Sequence, residues 1–229
     1  MECMTGTQLT NTLTTNESNA MTHTFTRDEL ASIWFTSDSH LGHRRILELG
    51  EGRPFASIEE HDSALASRWN SVVGPEDTVF HLGDVVLGDW LAGLGLLRGL
   101  NGRKLLVPGN HDRVFSREKP QRREVGLSEY SKTFAEILPE EITVDLDGSV
   151  FKVSHFPIAE VYISGRADRY SECRPVDDGT PIIHGHTHQA MKVTHTSQNT
   201  IQISVGVDSN DWTPVNALTI LKTLEDSVD

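Results

Sequence analysis

The stretch that most constrains this chain is Leu105-Leu106-Val107-Pro108-Gly109-Asn110-His111-Asp112. An apolar run stops at a Pro-Gly turn, and three side chains able to bind a metal or carry a proton follow at once. A buried strand ending this way sets its next residues at the carboxyl edge of a sheet, where open α/β folds bind ligands. Trp34-Phe35-Thr36-Ser37-Asp38-Ser39-His40, Val79-Phe80-His81-Leu82-Gly83-Asp84 and Pro181-Ile182-Ile183-His184-Gly185-His186-Thr187-His188 repeat the design. A fifth segment, Phe151-Lys152-Val153-Ser154-His155, ends in a single histidine. Strand ends carrying oxygen and imidazole donors point to one metal site assembled from distant parts of the sequence.

Length and charge narrow what such a site serves. A chain of 229 residues with no composition shift at its centre reads as one large domain. Residues 1–27, rich in Thr and Asn and poor in apolar periodicity, are expected to form a disordered N-terminal tail ahead of a single domain over 28–229. The net charge of −13 argues against duplex nucleic acid and anionic membranes as partners. Small anions stay open as substrates, because bound divalent ions reverse the sign locally. No run approaches the ~18 apolar residues of a membrane span. Cys3 and Cys173 make no disulfide framework, and the start shows no signal-peptide pattern. A cytoplasmic location is expected; the oligomeric state stays open.

The elements follow from periodicity and punctuation. Ser32 to Ser37 reads as a buried strand delivering Asp38 and His40, and Gly42 to Glu48 as a short helix bringing His43, Arg44 and Arg45 to the same edge. Ser57 and Glu60 have capping-box spacing, and Ile58, Leu65, Trp69 and Val72 fall on one helical stripe. Asp77 to Leu82 is a strand, and Trp90 to Leu100 an apolar helix. Periodicity is lost between Arg113 and Leu127, where basic residues gather, and returns as a helix over Ser128 to Leu138. Ile142 to Leu146 and Ser149 to Ser154 form a hairpin around Asp147-Gly148. Ile201 to Val205 and Val215 to Leu221 read as closing strands. Strand–helix alternation followed by strands suggests an α/β sandwich with mixed sheets and helices outside.

Asp38, His40, Asp84, Asn110, His155, His186 and His188 are the candidate ligands. If one carboxylate is shared, this set serves two ions with four donors each. Mixed imidazole and carboxylate ligation favours Mn, Fe, Ni or Zn over Mg or Ca, with Mn placed first. Two divalent ions ~3.5–4 Å apart bind a hydroxide and clamp phosphoryl oxygens. Each piece alone has a plainer reading. Asp-x-His and Gly-Asp are ordinary turn sequences, and Asn-His-Asp bonds its own backbone. Gly-His-x-His is more specific, since alternate residues of a strand face one way. The weight lies in the order and strand context of all the segments together.

Together, Asp38-Ser39-His40, Gly83-Asp84, Gly109-Asn110-His111-Asp112, His155 and Gly185-His186-Thr187-His188 resemble the full motif set of the calcineurin-like metallophosphoesterase superfamily. The match spans residues 33–188, and the segment 201–205 with Pro214-Val215 resembles the end of small bacterial and phage members. The resemblance implies a four-layer αββα sandwich of two mixed β-sheets flanked by helices. It implies one ion held by Asp38, His40, Asp84 and His188, and a second held by Asp84, Asn110, His155 and His186, with Asp84 as the bridge. It makes a metal-bridging hydroxide the nucleophile, and His111 the general acid or phosphoryl donor, oriented by Asp112. The expected activity is metal-dependent hydrolysis of small phosphodiesters, nucleotides and cyclic nucleotides foremost. A phosphomonoesterase, a single-strand nuclease and a non-catalytic interaction module on the same fold are the alternatives. A metallopeptidase is disfavoured, since there is no His-Glu-x-x-His.

Among the remaining candidates, Arg44 and Arg45 either steer phosphate or form a solvated helix face, and the basic segment 113–123 either collars an anionic substrate or is a charged exposed loop. His81 is expected behind the ligands or in the core, His184 on the side opposite to His186 unless the Gly185 turn redirects it, and His23, His61 and His195 on the surface.

Overall fold

The computed structural model describes residues 21–49, 52–159 and 170–228. In chain order its regular elements are β1 (Thr22–Phe25), β2 (Ile33–Thr36), α1 (Ile58–Val72), β3 (Thr78–His81), α2 (Trp90–Arg98), β4 (Arg103–Leu106) and α3 (Pro120–Tyr130). There follow β5 (Glu136–Ile137), β6 (Glu141–Leu146), β7 (Ser149–Ser154), β8 (Ile182–His184), β9 (Val193–His195), β10 (Ile201–Ser204), β11 (Val215–Asn216) and α4 (Ala217–Val228).

The strands form two mixed sheets, a five-stranded one in the order β11-β2-β3-β4-β5 and a six-stranded one in the order β1-β6-β7-β8-β10-β9. In the first, β2, β3 and β4 run parallel, so the residues after Thr36, His81 and Leu106 emerge along one edge. In the second, β7 and β8 run parallel, and bring His155 and His186 out side by side. The sheets bury one face against each other: Phe35, Phe80, Leu105 and Val107 of one meet Val144, Phe151, Val153, Ile183 and Ile203 of the other. The outer face of the five-stranded sheet is covered by α1, α2 and α3, whose Leu65, Trp69, Leu94, Leu97 and Tyr130 pack on Val79 and Leu106. Helix α4 adds Ile220 and Leu221 to the core between the sheets, where it meets β2, β10 and β11. This is the expected sandwich of two mixed sheets with helices outside.

Local chemistry explains several boundaries. Ser57 Oγ accepts the Glu60 N–H at 3.1 Å, and the Glu60 carboxylate accepts the Ala56 N–H at 2.7 Å, so both side chains satisfy donors at the start of α1. The β6–β7 hairpin turns on Asp147 and Gly148 with φ of 55° and 88°, the pair of positive values a type I′ turn requires.

Four expectations are corrected. The tail does not extend to residue 27: β1 pairs parallel with β6, and Phe25 and the buried His23 meet Phe80 edge-on. Residues 1–20 lie outside the described set. The irregular segment 113–127 contains the first part of α3, opened by Pro120 at its first turn. That helix buries only Gly126 and Tyr130, so it carries no apolar stripe to read. Of the helix expected over Ser128 to Leu138, only the start belongs to α3, and Glu136–Ile137 is strand β5. Finally, the strand expected over Val215 to Leu221 stops at Asn216, whose Oδ1 accepts the Leu218 N–H at 3.0 Å and opens α4. Ala217, Ile220, Leu221 and Leu224 have helical spacing, which a short apolar run disguises.

Candidate metal centre

The strand-end residues converge at the seam of the two sheets. Asp38, Asp84 and Asn110 arrive on the five-stranded sheet; His155, His186 and His188 arrive on the other. Asp38, His40, Asp84, His186 and His188 all have positive φ, between 46° and 71°. Left-handed backbone at a non-glycine residue is held only where the surroundings over-determine it. Here the turns are cross-bonded: His40 N–H donates to the Asp84 carbonyl and Asp38 N–H to the Gly83 carbonyl, both at 3.0 Å. The His186 N–H donates to Asp38 Oδ2 at 2.9 Å, joining the sheets. Gly109 and Gly185 must lack a side chain, since a Cβ would strike Asp84 and His155 at the first and Ser37 and Asp38 at the second.

Two groups of donors share one oxygen. His40 Nε2 lies 3.2 Å from His188 Nε2 and 3.5 Å from Asp84 Oδ2, and His188 Nε2 lies 3.7 Å from Asp38 Oδ1. One donor atom from each of these four residues falls within 4.8 Å of the others. On the other side His155 Nε2 lies 3.1 Å from Asn110 Oδ1, 3.1 Å from His186 Nδ1 and 3.6 Å from the same Asp84 Oδ2.

The donor chemistry fits a cation. His155 Nδ1 donates to the Leu82 carbonyl at 2.7 Å, which leaves a lone pair on Nε2 facing Asn110 Oδ1. His188 Nδ1 donates to Asp208 Oδ2 at 2.9 Å, so its Nε2 also presents a lone pair inward. Asp38 Oδ1 is buried with no hydrogen-bond partner, a costly state for a carboxylate oxygen unless a cation meets it. Burial opposes ionisation of Asp84, yet the imidazoles of His155, His40 and His111 hold its carboxyl far below the usual range. Burial drives His40 well down, so its ring is neutral, as a ligand must be. His188 is drawn upward, burial being outweighed by Asp208 and Asp38, so a cation would take its Nε2 lone pair in competition with a proton.

His111 stands at the mouth with its side chain 44% exposed. Its N–H donates to Asp84 Oδ1 at 2.8 Å, and its Nε2 lies 3.9 Å from Asp84 Oδ2. Asp112 does not have the expected role. Instead of bonding the His111 ring, its oxygens accept from Gly109 N, Asp84 N, Val85 N and Tyr130 Oη at 2.8 to 3.1 Å. Burial, and then the Asp84 charge, push its pKa up to about 6. Asp112 therefore welds the Asp84 loop to the Asn110 loop; four donors leave it nothing for His111.

Arg44 and Arg45 are exposed on a turn that buries only Ile46, and Arg44 reaches Glu59 at 3.5 Å. From that segment it is His43 that arrives, its ring 5.4 Å from that of His40. In the basic segment Arg117 pairs with Glu172 and Arg122 with Glu118, while Arg113 stacks over Trp90 at 4.2 Å. His81 and His184 are buried behind the ligands, where burial pushes them down to about 3 and about 4. His195 is exposed, but His23 and His61 are buried.

The residues missed in the sequence are Arg53 and Asp208. Arg53 sits in Gly52-Arg53-Pro54, which carries no signal. Asp208 follows an apolar strand and a glycine, the same design as the recognised motifs, and a search for strand-end carboxylates would have found it.

Comparison with known proteins agrees with this geometry. The calcineurin-like phosphoesterase superfamily domain matches residues 32–223. The gene 66 protein of Mycobacterium phage L5 is 37% identical over 190 residues, 79% of this chain and 88% of that protein. The gene 66 protein of Mycobacterium phage D29 is 35% identical over 198 residues, covering 82% and 94%. The crystal structure of the protein of unknown function AQ665 from Aquifex aeolicus superposes with a TM-score of 0.62 at 25% identity, over 83% of this chain and 98% of that one. The chain belongs to the calcineurin-like phosphoesterase superfamily, whose members are metal-dependent phosphoester hydrolases. No helix among the described residues is long and apolar enough to cross a membrane.

Proposed function

We propose that this protein is a dinuclear-metal phosphodiesterase acting on small phosphodiesters, with nucleotides and cyclic nucleotides as the substrate class. The observation that carries the reading is Asp84 Oδ2, at 3.5 Å from His40 Nε2 and 3.6 Å from His155 Nε2, the meeting point of two donor sets. Asp38, His40, Asp84 and His188 would hold one ion, and Asp84, Asn110, His155 and His186 the other. Mn is favoured, with Fe, Ni and Zn as alternatives; such ions supply Lewis acidity and an activated water.

The chain's own groups supply the rest. His111, anchored by its backbone to Asp84 and open to solvent, is positioned to donate to a phosphoryl oxygen or to the departing alkoxide. The diester preference rests on the family resemblance. Arg53 is not a candidate phosphate binder: all five of its N–H directions are taken, by Asp208, the carbonyls of Asp38 and Ser39, and His61. The charge of −13 agrees with a small substrate drawn in by bound cations, and with neither duplex nucleic acid nor membrane as partner.

The test is metal-free protein reloaded separately with Mn, Fe, Ni, Zn or Mg and assayed on a monoester, a linear diester and cyclic nucleotides. Diester or cyclic-nucleotide turnover above monoester turnover in a transition metal is the expected result. Faster monoester turnover overturns the diester preference. No turnover in any metal overturns the enzymatic reading and favours an interaction module.

A further inference from the structure

We infer that Arg53 and Asp208 are the positioning pair of one half of this centre: together they fix the geometry, and so the metal affinity, of Asp38, His40 and His188. The inference rests on the metal-binding reading above.

Arg53 is 1% exposed at its side chain and Asp208 14%. Their contact is bidentate, with Nε to Oδ1 at 2.9 Å and Nη2 to Oδ2 at 2.8 Å, the fork geometry that adds direction as well as strength. Asp208 Oδ2 also accepts Nδ1–H of His188 at 2.9 Å. That bond fixes the tautomer and the plane of the ring, and turns the Nε2 lone pair toward Asp38 and His40.

The guanidinium reaches the opposite end of the same half. Nη2 donates to the Asp38 carbonyl at 2.7 Å and Nη1 to the Ser39 carbonyl at 3.2 Å. These two peptide units lie between the ligands Asp38 and His40, whose φ values of 60° and 46° need external support. Arg53 is itself held from α1, where Nη1 donates to His61 Nε2 at 2.8 Å and His61 Nδ1 donates to Asp62 at 2.7 Å. Asp62 then accepts the Gly42 N–H at 2.9 Å, closing a loop of bonds just beyond His40. One side chain thus ties ligands from both sheets to a common frame.

A buried ion pair is a poor source of stability on its own, because desolvation offsets the attraction. Its place here is explained by direction. Both residues touch ligands or ligand backbone, and their bonds are saturated without substrate, so they position other groups and do not react. Removing the partner of a metal-ligating histidine typically weakens metal binding ~10–100-fold.

The test is titration of metal-free full-length protein with Mn(II) or Zn(II) against a competing chelator. Wild type is compared with Asp208→Leu, Asp208→Asn and Arg53→Lys. His188→Ala and His155→Ala mark which constant belongs to which half. Asp208→Leu and Arg53→Lys are expected to weaken the His188 half ~10–100-fold and leave the His155 half unchanged. Asp208→Asn keeps one acceptor for His188 but sets an NH2 against Arg53 and removes the paired charge, so it should weaken the His188 half less than Asp208→Leu and leave the His155 half unchanged. If Asp208→Leu does not fold, Arg53→Lys and Asp208→Asn decide by which half they weaken. A lowered Tm with both constants unchanged overturns the inference, since the pair would then be structural only. Equal weakening of both halves overturns it too. Wild type binding one ion would instead overturn the dinuclear reading, and the dependence of that ion on Asp208 would still test the pair.

Discussion

His188 is oriented by a carboxylate and His155 by a carbonyl: the first donates Nδ1–H to Asp208 at 2.9 Å, the second to Leu82 at 2.7 Å. The surroundings diverge in the same way. Around His188 lie Arg53, Asp208 and Asp38, all charged. Around His155 and His186 lie aromatic rings, with Phe156 4.9 Å from the first and 4.8 Å from the second, and Tyr170 6.0 Å from His186. One half is held by ionic bonds between loops; the other is the polar tip of a hydrophobic core. The proposed donors differ to match, with two carboxylates in the first half and one carboxylate and an amide in the second. Hard divalent ions should therefore bind more tightly at the first.

The largest effect expected is at the group both halves share. Asp84→Asn keeps the shape of the side chain and removes its charge. Turnover should be abolished and bound metal should fall toward zero, read by elemental analysis on protein shown to be folded by circular dichroism. Loss of only one ion would show that Asp84 belongs to one half, and the comparison would need redrawing.

The next effect separates the halves from the proton donor above them. The His111 ring lies 5.5 Å from that of His40 and is half-exposed, on the side of the first half. General acid catalysis contributes ~10²–10⁴-fold where the leaving group needs a proton. A ribose alkoxide needs one and a nitrophenolate does not. His111→Gln should slow a nucleotide diester by at least ~10²-fold, a nitrophenyl diester far less, and leave metal content unchanged. Equal slowing of both substrates would assign His111 to binding, and loss of an ion would make it a ligand.

The same contrast explains what the sequence made legible. The aromatic half could be read as far as its ligands, because His155 and His186 end apolar strands and strands advertise themselves by their periodicity. Asp38, Asp84 and Asn110 were legible for the same reason. Asp208 has the same strand-end signal, and was passed over because it is not a ligand of the motif set; Arg53 has none, because its bond to a residue 155 positions away leaves no local pattern. Asp112 was misread for a related reason. Its neighbour His111 is next in sequence, but a buried carboxylate goes to the nearest unsatisfied N–H groups, and those belong to Gly109, Asp84 and Val85. β1 was missed because four residues with one buried position fall below any periodicity test.

That missed strand gives the smallest effect and the finest test of the comparison. β1 forms the outer edge of the six-stranded sheet and pairs with β6, which pairs with β7, the strand that ends beside His155. Its Phe25 and His23 cover Phe80 from one side at 6.0 and 5.4 Å. A chain starting at residue 28 loses these contacts and bares the backbone edge of β6; a chain starting at Met21 keeps both. Burying one aromatic and part of a second ring is worth about 2–3 kcal/mol, which is ~5–10 °C of Tm for a domain of this size. The shorter chain should melt lower by that amount, with turnover at saturating metal little changed. Any loss of metal affinity should fall on the His155 half, since the His188 half is tied by Arg53 and Asp208 to elements that β1 does not touch. Greater loss at the His188 half would show that the ionic frame depends on the core after all, and the distinction between the two supports would fail.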